Sequence, residues 1–383
     1  MSVEQSHGLR IAVIGAGTIS QSVHVPSIRR SGMQLTWVCD LSPTRAGEVA
    51  TANGAKASSD PAEVFAADDV DAVLIATPGS HAALAAEAIR HGKHVLVEKP
   101  VALTVREIDE LIALAAEHDR VVQVGYMKMY DALTPTAKSE LEALDDVRLV
   151  RVTVAHPADA PQISHLRMSP PPRDADLTKI AEAETYELDR AREALPGAGA
   201  ELLQYYAGVL NGSVIHEFSL LRALGLELPS SWDASVFPEL GGDAPACLLA
   251  QAAVGDARYV FSWNWLPEYP EYDEELAVLA SNGRLSFHLA KPYVLEARSY
   301  LKVERNDGLQ RRDTRYLDTY ETGFLRQLDA FSDAIESGTE VISTLEGARA
   351  DVAQVQLLAK AIARSFGTDL VTEAEAAAEA AAR

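Results

Sequence analysis

Cysteine is nearly absent: Cys39 and Cys247 are the only two in 383 residues. Two thiols so far apart make neither a disulfide framework nor a zinc-ligand set, and Cys39 sits inside an apolar run, so both read as small buried hydrophobes and no metal is expected. Cations are also in short supply. With 34 Lys and Arg against 56 Asp and Glu, the formal net charge is −22, a surface that repels phosphate backbones and anionic bilayers and so argues against nucleic acid or membrane partners. Long apolar runs are missing too. Each is interrupted by charge or proline well short of the roughly 18 residues that a span needs, and no basic stretch followed by an apolar one opens the chain, so a cytoplasmic location is expected. What is present is a globular composition, 48% hydrophobic and 23% charged, with length for two or three domains.

The first third alternates strand and helix. Leu9 to Ile14 is a short apolar run that leads into Gly15-Ala16-Gly17-Thr18-Ile19-Ser20 and then a helical stretch. In such a strand, turn and helix, Gly15 makes the tight turn and Gly17 lets backbone approach a pyrophosphate at the helix N-terminus; the usual third glycine is replaced by Ser20. A second strand, Leu35 to Cys39, ends in Asp40, about 20 residues on, where a carboxylate grips ribose hydroxyls. Asp40 is followed by Leu41 rather than by a cation, which favours NAD over NADP, with Arg45 as the reservation. Further strands are expected at Asp71 to Ala76, His94 to Val97 and Arg120 to Gly125, with helices near Pro43 to Asn53, Ser80 to His91 and Thr104 to His118. That rhythm predicts a doubly wound parallel sheet. In such a sheet ligands sit beyond the carboxyl ends of the strands, which places Lys99 at the mouth of a crevice, while Thr77 caps the following helix, lines the cofactor groove, or does both.

Taken together, Gly15-x-Gly17-x-x-Ser20, the strand-ending Asp40, Ala76-Thr77-Pro78 with His81 just after, Glu98-Lys99-Pro100 and Gly125-Tyr126 resemble the Gfo/Idh/MocA family of NAD(P)-dependent oxidoreductases. The resemblance covers the first ~130 residues. It implies a nicotinamide cofactor held by Gly15, Ala16, Gly17, Thr18, Ile19, Asp40, Thr77, Pro78, His81, Glu98 and Lys99, with Lys99 near the reacting carbon. A cis Lys99-Pro100 bond is expected from the same resemblance and from the need to turn Lys99 into the crevice.

Past Gly125 the pattern changes, giving an expected division at 1–127 and 128–383. Val147 to Ala155 alternates as a half-exposed strand does. His165, Arg167 and Pro170-Pro171-Pro172 lie in a loop or extended stretch that either folds over substrate or is a surface excursion, and Leu177 to Leu195 reads as a surface helix. Val209 to Gly225 has helical spacing and carries His216. The resemblance implies an Asp, His and acidic residue along this helix; His216 matches the centre, whereas Gly212 and Ser219 stand where the acids belong. Runs at 235–237, 247–254, 258–265, 275–280 and 284–289 predict an open, mainly antiparallel sheet. The resemblance implies that its outer face makes a homodimer or homotetramer; Trp263, Trp265 and Tyr269 are either part of that surface or core. Two terminal helices, near 322–337 and 345–366, and a fraying Ala/Glu tail close the chain, with the helices free to pack back on the first domain.

The expected activity is hydride transfer between NAD and a secondary alcohol or ketone of a sugar, sugar derivative or cyclitol, a substrate class that rests on the resemblance alone. His216 is the expected general base, since a neutral imidazole suits proton removal near neutral pH, and Lys99 is expected to stabilise the developing alkoxide. Lys128, Tyr126 and His165 are candidates for holding substrate, and a water, Glu217 or a residue near Tyr205-Tyr206 or His165 for replacing the acid missing at Gly212. The alternatives are an idle dinucleotide sensor, or an enzyme for a diol or imine.

Overall fold

Five residues with four fully interior side chains, β1 (Arg10–Ile14), form the centre of the first sheet. The computed structural model describes residues 8–381 except 167 and 169–171. Beside β1 run β2 (Gln34–Cys39), β3 (Lys56–Ser58), β4 (Ala72–Ile75), β5 (His94–Val97) and β6 (Val122–Val124), in the order β3-β2-β1-β4-β5-β6. All five pairings are parallel. Because β4 and β5 are covered on both faces, they are short, continuous apolar runs rather than alternating ones. The order reverses between β1 and β4, the switch point at which a crevice opens beyond the strand ends.

The second sheet has eight strands: β7 (Val147–His156), β8 (Asp233–Phe237), β9 (Cys247–Val254), β10 (Ala257–Trp265), β11 (Asp273–Ala280), β12 (Gly283–His288), β13 (Tyr300–Asp307) and β14 (Gln310–Leu317). Their order is β14-β13-β12-β11-β7-β10-β9-β8, and only β7 with β10 is a parallel pair among those described. The hairpin of β13 and β14 was not foreseen from sequence, because β14, Gln-Arg-Arg-Asp-Thr-Arg-Tyr-Leu, has almost no apolar alternation and is nearly all exposed.

The chain forms two compact units. Of the described residues, the first takes those up to Met127, 168 and 172–190, and Phe324–Val352; the second takes Lys128–Leu166, Ala191–Gly323 and the stretch from Ala353. In the first, Leu328 and Phe331 of the helix Gly323–Ser337 are fully buried in the cluster that holds Leu9, Ile11 and Val13 of the β1 region. The Ala/Glu tail forms a helix, Glu373–Ala381. Its cause is a capping box: Thr372 Oγ1 accepts from Glu375 N–H (3.2 Å) while the Glu375 carboxylate accepts from Thr372 N–H (3.0 Å). Trp263 is 3% exposed and donates to Ser213 Oγ (2.9 Å), so it belongs to the core. Among the described residues, no helix is long and apolar enough to cross a membrane.

Candidate functional site

At the end of β1 the chain turns sharply. Gly15 has φ +93°, and a Cβ there would come within 2.6 Å of the Ala76 carbonyl oxygen, so no other residue fits without displacing backbone. At Gly17 nothing lies within 4 Å of where a Cβ would point, which leaves open space over the turn. Ser20, in place of the third glycine, donates its hydroxyl to Gly15 O (2.5 Å) and is fully buried. It locks the turn from below. Ala16 is buried and Thr18 and Ile19 are half-buried. The following helix opens into a π-turn, Ser20–His24, ahead of Pro26; a regular α-turn would set the proline ring against the carbonyl four residues back.

The loops after β4 and β5 are tied together by His81, whose ring nitrogens lie 2.7 Å from Thr77 O and 2.7 Å from Pro100 O. Burial drives its pKa below the ordinary value despite these contacts. His81, expected to touch cofactor, is only 2% exposed and shapes the rim instead. Glu98 pairs with His24 (2.8 Å), a residue that sequence reasoning missed because nothing in the π-turn marks it. Burial pushes the Glu98 carboxyl up, but His24, together with Lys99 and His81 nearby, more than offsets this and holds it below its usual range. A Cβ at Gly125 would lie 3.1 Å from the Glu98 carboxylate carbon, which explains the glycine there. Lys99 is half-buried at the rim, and the Lys99-Pro100 peptide is cis, as is Phe237-Pro238. Tyr126 is fully buried, and thus a packing residue in this structure rather than an open substrate contact.

The end of β2 carries more than Asp40. Its two carboxylate oxygens accept from Ala16 N–H (2.9 Å) and Ser42 N–H (2.9 Å), and the Arg45 guanidinium stands 3.9 Å away. Ser42 then donates its hydroxyl to Asp174 (2.5 Å), and Thr44 N–H donates to the other oxygen of the same carboxylate (3.0 Å). The surface helix expected at 177–195, found as Leu177–Ala194, follows this contact. Tyr186 of that helix bonds Glu107, and a Cβ at Gly79 would lie 2.8 Å from Glu187. Arg167, Pro170 and Pro171 of the preceding loop lie outside the described residues.

In the second unit, residues Tyr206–Val214 form a π-helix that passes directly into the α-helix Ile215–Ala223. His216 is half-buried in the first turn of the latter. Nothing comes nearer than 3.9 Å to a Cβ built at Gly212, and Ser219 turns its hydroxyl back onto His216 O (2.8 Å), so it contributes no acid. His165 is exposed in the turn at 164–166.

Lys128 corrects an expectation. Rather than reaching for substrate hydroxyls, its ammonium is 7% exposed and donates to Glu217 (2.7 Å) and Glu274 (2.7 Å), each 1% exposed; a cation beside two buried carboxylates cannot leave them unpaired. Burial lowers the Lys128 pKa, but the two carboxylates outweigh it and raise it above the ordinary value. Tyr272 donates to Glu274 (2.7 Å). Burial and the neighbouring Glu274 charge push Glu217 well above its usual range, whereas the charge of Lys128 and the donated hydrogen bonds overcome burial to hold Glu274 below it. Of the two carboxyls, Glu217 is thus the one that holds a proton more readily. It is committed to this cluster, as Tyr205 is to Ala246 O (2.9 Å), and neither replaces the missing acid.

Comparison with known proteins agrees with this geometry. Residues 9–126 match the oxidoreductase family described as having an NAD-binding Rossmann fold. An inositol 2-dehydrogenase of Burkholderia ambifaria is 40% identical over 129 residues, 32% of this chain and 38% of that protein, so the match spans well under half of the relative. An inositol 2-dehydrogenase of Rhizobium meliloti is 24% identical over 349 residues, 87% of this chain and 90% of its own. Among solved structures, a putative myo-inositol dehydrogenase from Sinorhizobium meliloti superposes with TM-score 0.68 at 20% identity, covering 95% of this chain and 99% of that one. A 3-ketoreductase from Actinomadura kijaniata, crystallised with NADP, gives 0.66 at 16% identity over 93% of this chain and 97% of that one; both likenesses concern the fold. With its glycine turn and parallel sheet, the stretch 9–126 carries the NAD-binding Rossmann domain of the Gfo/Idh/MocA oxidoreductase family.

Proposed function

We propose that the protein is an NAD-dependent oxidoreductase acting on a secondary alcohol or ketone of a sugar, sugar derivative or cyclitol. The observation that carries this reading is the open space above Gly17 at the switch point, with Asp40 at the end of the neighbouring strand. A dinucleotide fits: the turn and the helix N-terminus offer N–H groups to a pyrophosphate, Asp40 keeps lone pairs for ribose hydroxyls, and Thr77, Pro78 and Lys99 stand on the same rim. The names of the relatives support the substrate class. The bound nicotinamide supplies the hydride acceptor or donor.

The chain's own part is proton handling and charge. His216, half-buried rather than sealed in the core, takes the hydroxyl proton, and Lys99 stabilises the oxygen as charge builds on it. A second reading, a dinucleotide sensor without turnover, is favoured by Gly212 and by Ser219 being turned onto its own helix. Nicotinamide reduction followed at 340 nm over a panel of cyclitols and sugars, with NAD and NADP in parallel, separates the two. Lys99→Ala and His216→Ala are each expected to lose about 10² to 10⁴ in rate while still binding NAD. No turnover of any panel member, with NAD still bound, would establish the sensor.

The outer face of the second sheet is the proposed contact between copies, as dimer or tetramer. In support, Phe237 of β8 and Leu249 of β9 are 81% and 55% exposed, and their register puts both on one face.

A further inference from the structure

The helix Pro43–Asn53 has no acidic residue in its first turn, yet its N-terminus is fully provided with acceptors. Pro43 has no N–H to offer. Thr44 N–H goes to Asp174 (3.0 Å), Arg45 N–H to Ser42 Oγ (3.1 Å) and Ala46 N–H to Ser42 O (3.0 Å). The Ser42 hydroxyl, the remaining donor of the turn, goes to Asp174 as well. Asp174 comes from 130 residues further along the chain. The backbone is pinned beside it by Asp176 N–H donating to Leu41 O (3.3 Å). Its carboxyl is drawn down to about 2 by the hydrogen bonds from Ser42 and Thr44, so it is an anion at any physiological pH.

These donors lie next to the ribose carboxylate. Ser42 N–H bonds Asp40 and Ser42 Oγ bonds Asp174, so one residue links the two acids. Phosphate on the ribose 2′-oxygen of a dinucleotide needs donors and a cation in this neighbourhood. The donors are filled, a second negative charge has been added, and Arg45 is drawn toward Asp40 at 3.9 Å. Building on the dinucleotide reading above, we propose that Asp174 is a selectivity residue: its carboxylate occupies the donors that a 2′-phosphate would use and thereby excludes NADP in favour of NAD. Asp40 alone repels the phosphate; Asp174 also removes what could hold it.

The test is titration of the full chain with NAD and with NADP, followed by calorimetry, for the wild type, Asp174→Ala and Asp174→Asn. The wild type should prefer NAD. Asp174→Ala frees the Ser42 hydroxyl and Thr44 N–H and should shift the NADP-to-NAD affinity ratio toward NADP by about tenfold or more, the worth of a hydrogen bond to a charged group. Affinity for NAD itself should move by less than about threefold. Asp174→Asn keeps the segment docked without the charge and should give a smaller shift in the same direction, which separates selectivity from a loosened loop. A ratio unchanged in both variants, or a wild type that binds both cofactors equally, overturns the role of Asp174 while leaving the dinucleotide reading intact. Failure of the wild type to bind either cofactor overturns the dinucleotide reading itself and this inference with it.

Discussion

The two carboxylates around Lys128 should respond very differently to the same substitution. Burial and the neighbouring charge raise the Glu217 carboxyl while Lys128 lowers that of Glu274, so a proton on Glu217 would leave the buried cluster of Lys128, Glu217 and Glu274 neutral. Glutamine is close in shape to a protonated glutamic acid, so Glu217→Gln should cost within about 1 kcal/mol. Lys128→Met strands the Glu274 carboxylate, 1% exposed, without a cation and should cost about 3–5 kcal/mol; Glu274→Gln leaves Glu217 as the remaining partner of the ammonium, which must then give up its proton, so it should cost more than Glu217→Gln and less than Lys128→Met. In a unit of roughly 150–250 residues each kcal/mol lowers Tm by about 2–4 °C, so Lys128→Met should melt about 6–20 °C lower. The sign with pH follows from the proton. A carboxyl whose folded pKa is raised contributes stability that is complete below its unfolded value, about 4.5, and declines as pH rises through the folded one. The wild type should therefore lose stability relative to Glu217→Gln as pH is raised from about 4.5. Chemical denaturation of the three variants between pH 5 and 9 measures both effects. Equal destabilisation by Glu217→Gln and Glu274→Gln, or a wild type that gains on Glu217→Gln as pH rises, would refute the assignment of the proton.

Gly15→Ala should abolish NAD binding and destabilise the first unit, because a methyl 2.6 Å from Ala76 O must displace backbone; differential scanning fluorimetry with and without NAD reads both. Ser20→Ala should be milder, about 1 kcal/mol for the lost bond to Gly15 O, visible as a lower Tm with NAD binding retained. Gly212→Asp should fold normally, since a Cβ has room there, and should raise turnover if an acid one turn before His216 assists proton removal; steady-state rates decide, and an unchanged rate would show that the site works without one.

The parallel sheet could be read from the chain because the buried positions of β4 and β5 are all apolar, and glycine and proline mark the turns around them. The tight turn was equally legible, because the left-handed φ and the close approach of Ala76 O demand glycine at position 15. Side-chain partners were not. His24 meets Glu98 across 74 positions, and Lys128 meets Glu274 across 146, separations at which no local pattern survives. β14 escaped because an exposed charged strand does not alternate, and the terminal helix because its capping box, Thr372-x-x-Glu375, was passed over in an alanine-rich stretch. The helix carrying His216 was expected as a regular one; its π-turns follow no sequence rule used for the expectation.

The membership of Phe324–Ser337 in the first unit bears on how the protein is made. The interior of the first sheet is closed by Leu328 and Phe331, and β6 finds further backbone partners at Ser343 (Val124 N–H to Ser343 O, 2.9 Å). A ribosome synthesising this chain releases the strands of that sheet early, but the helix that seals them only after the entire eight-stranded sheet has been translated. Until then an apolar face around Leu9, Ile11 and Val13 stands open to other nascent chains. Expressing 1–127 by itself should accordingly give an aggregating product, and joining residues 323–352 to it through a flexible linker should restore a soluble domain.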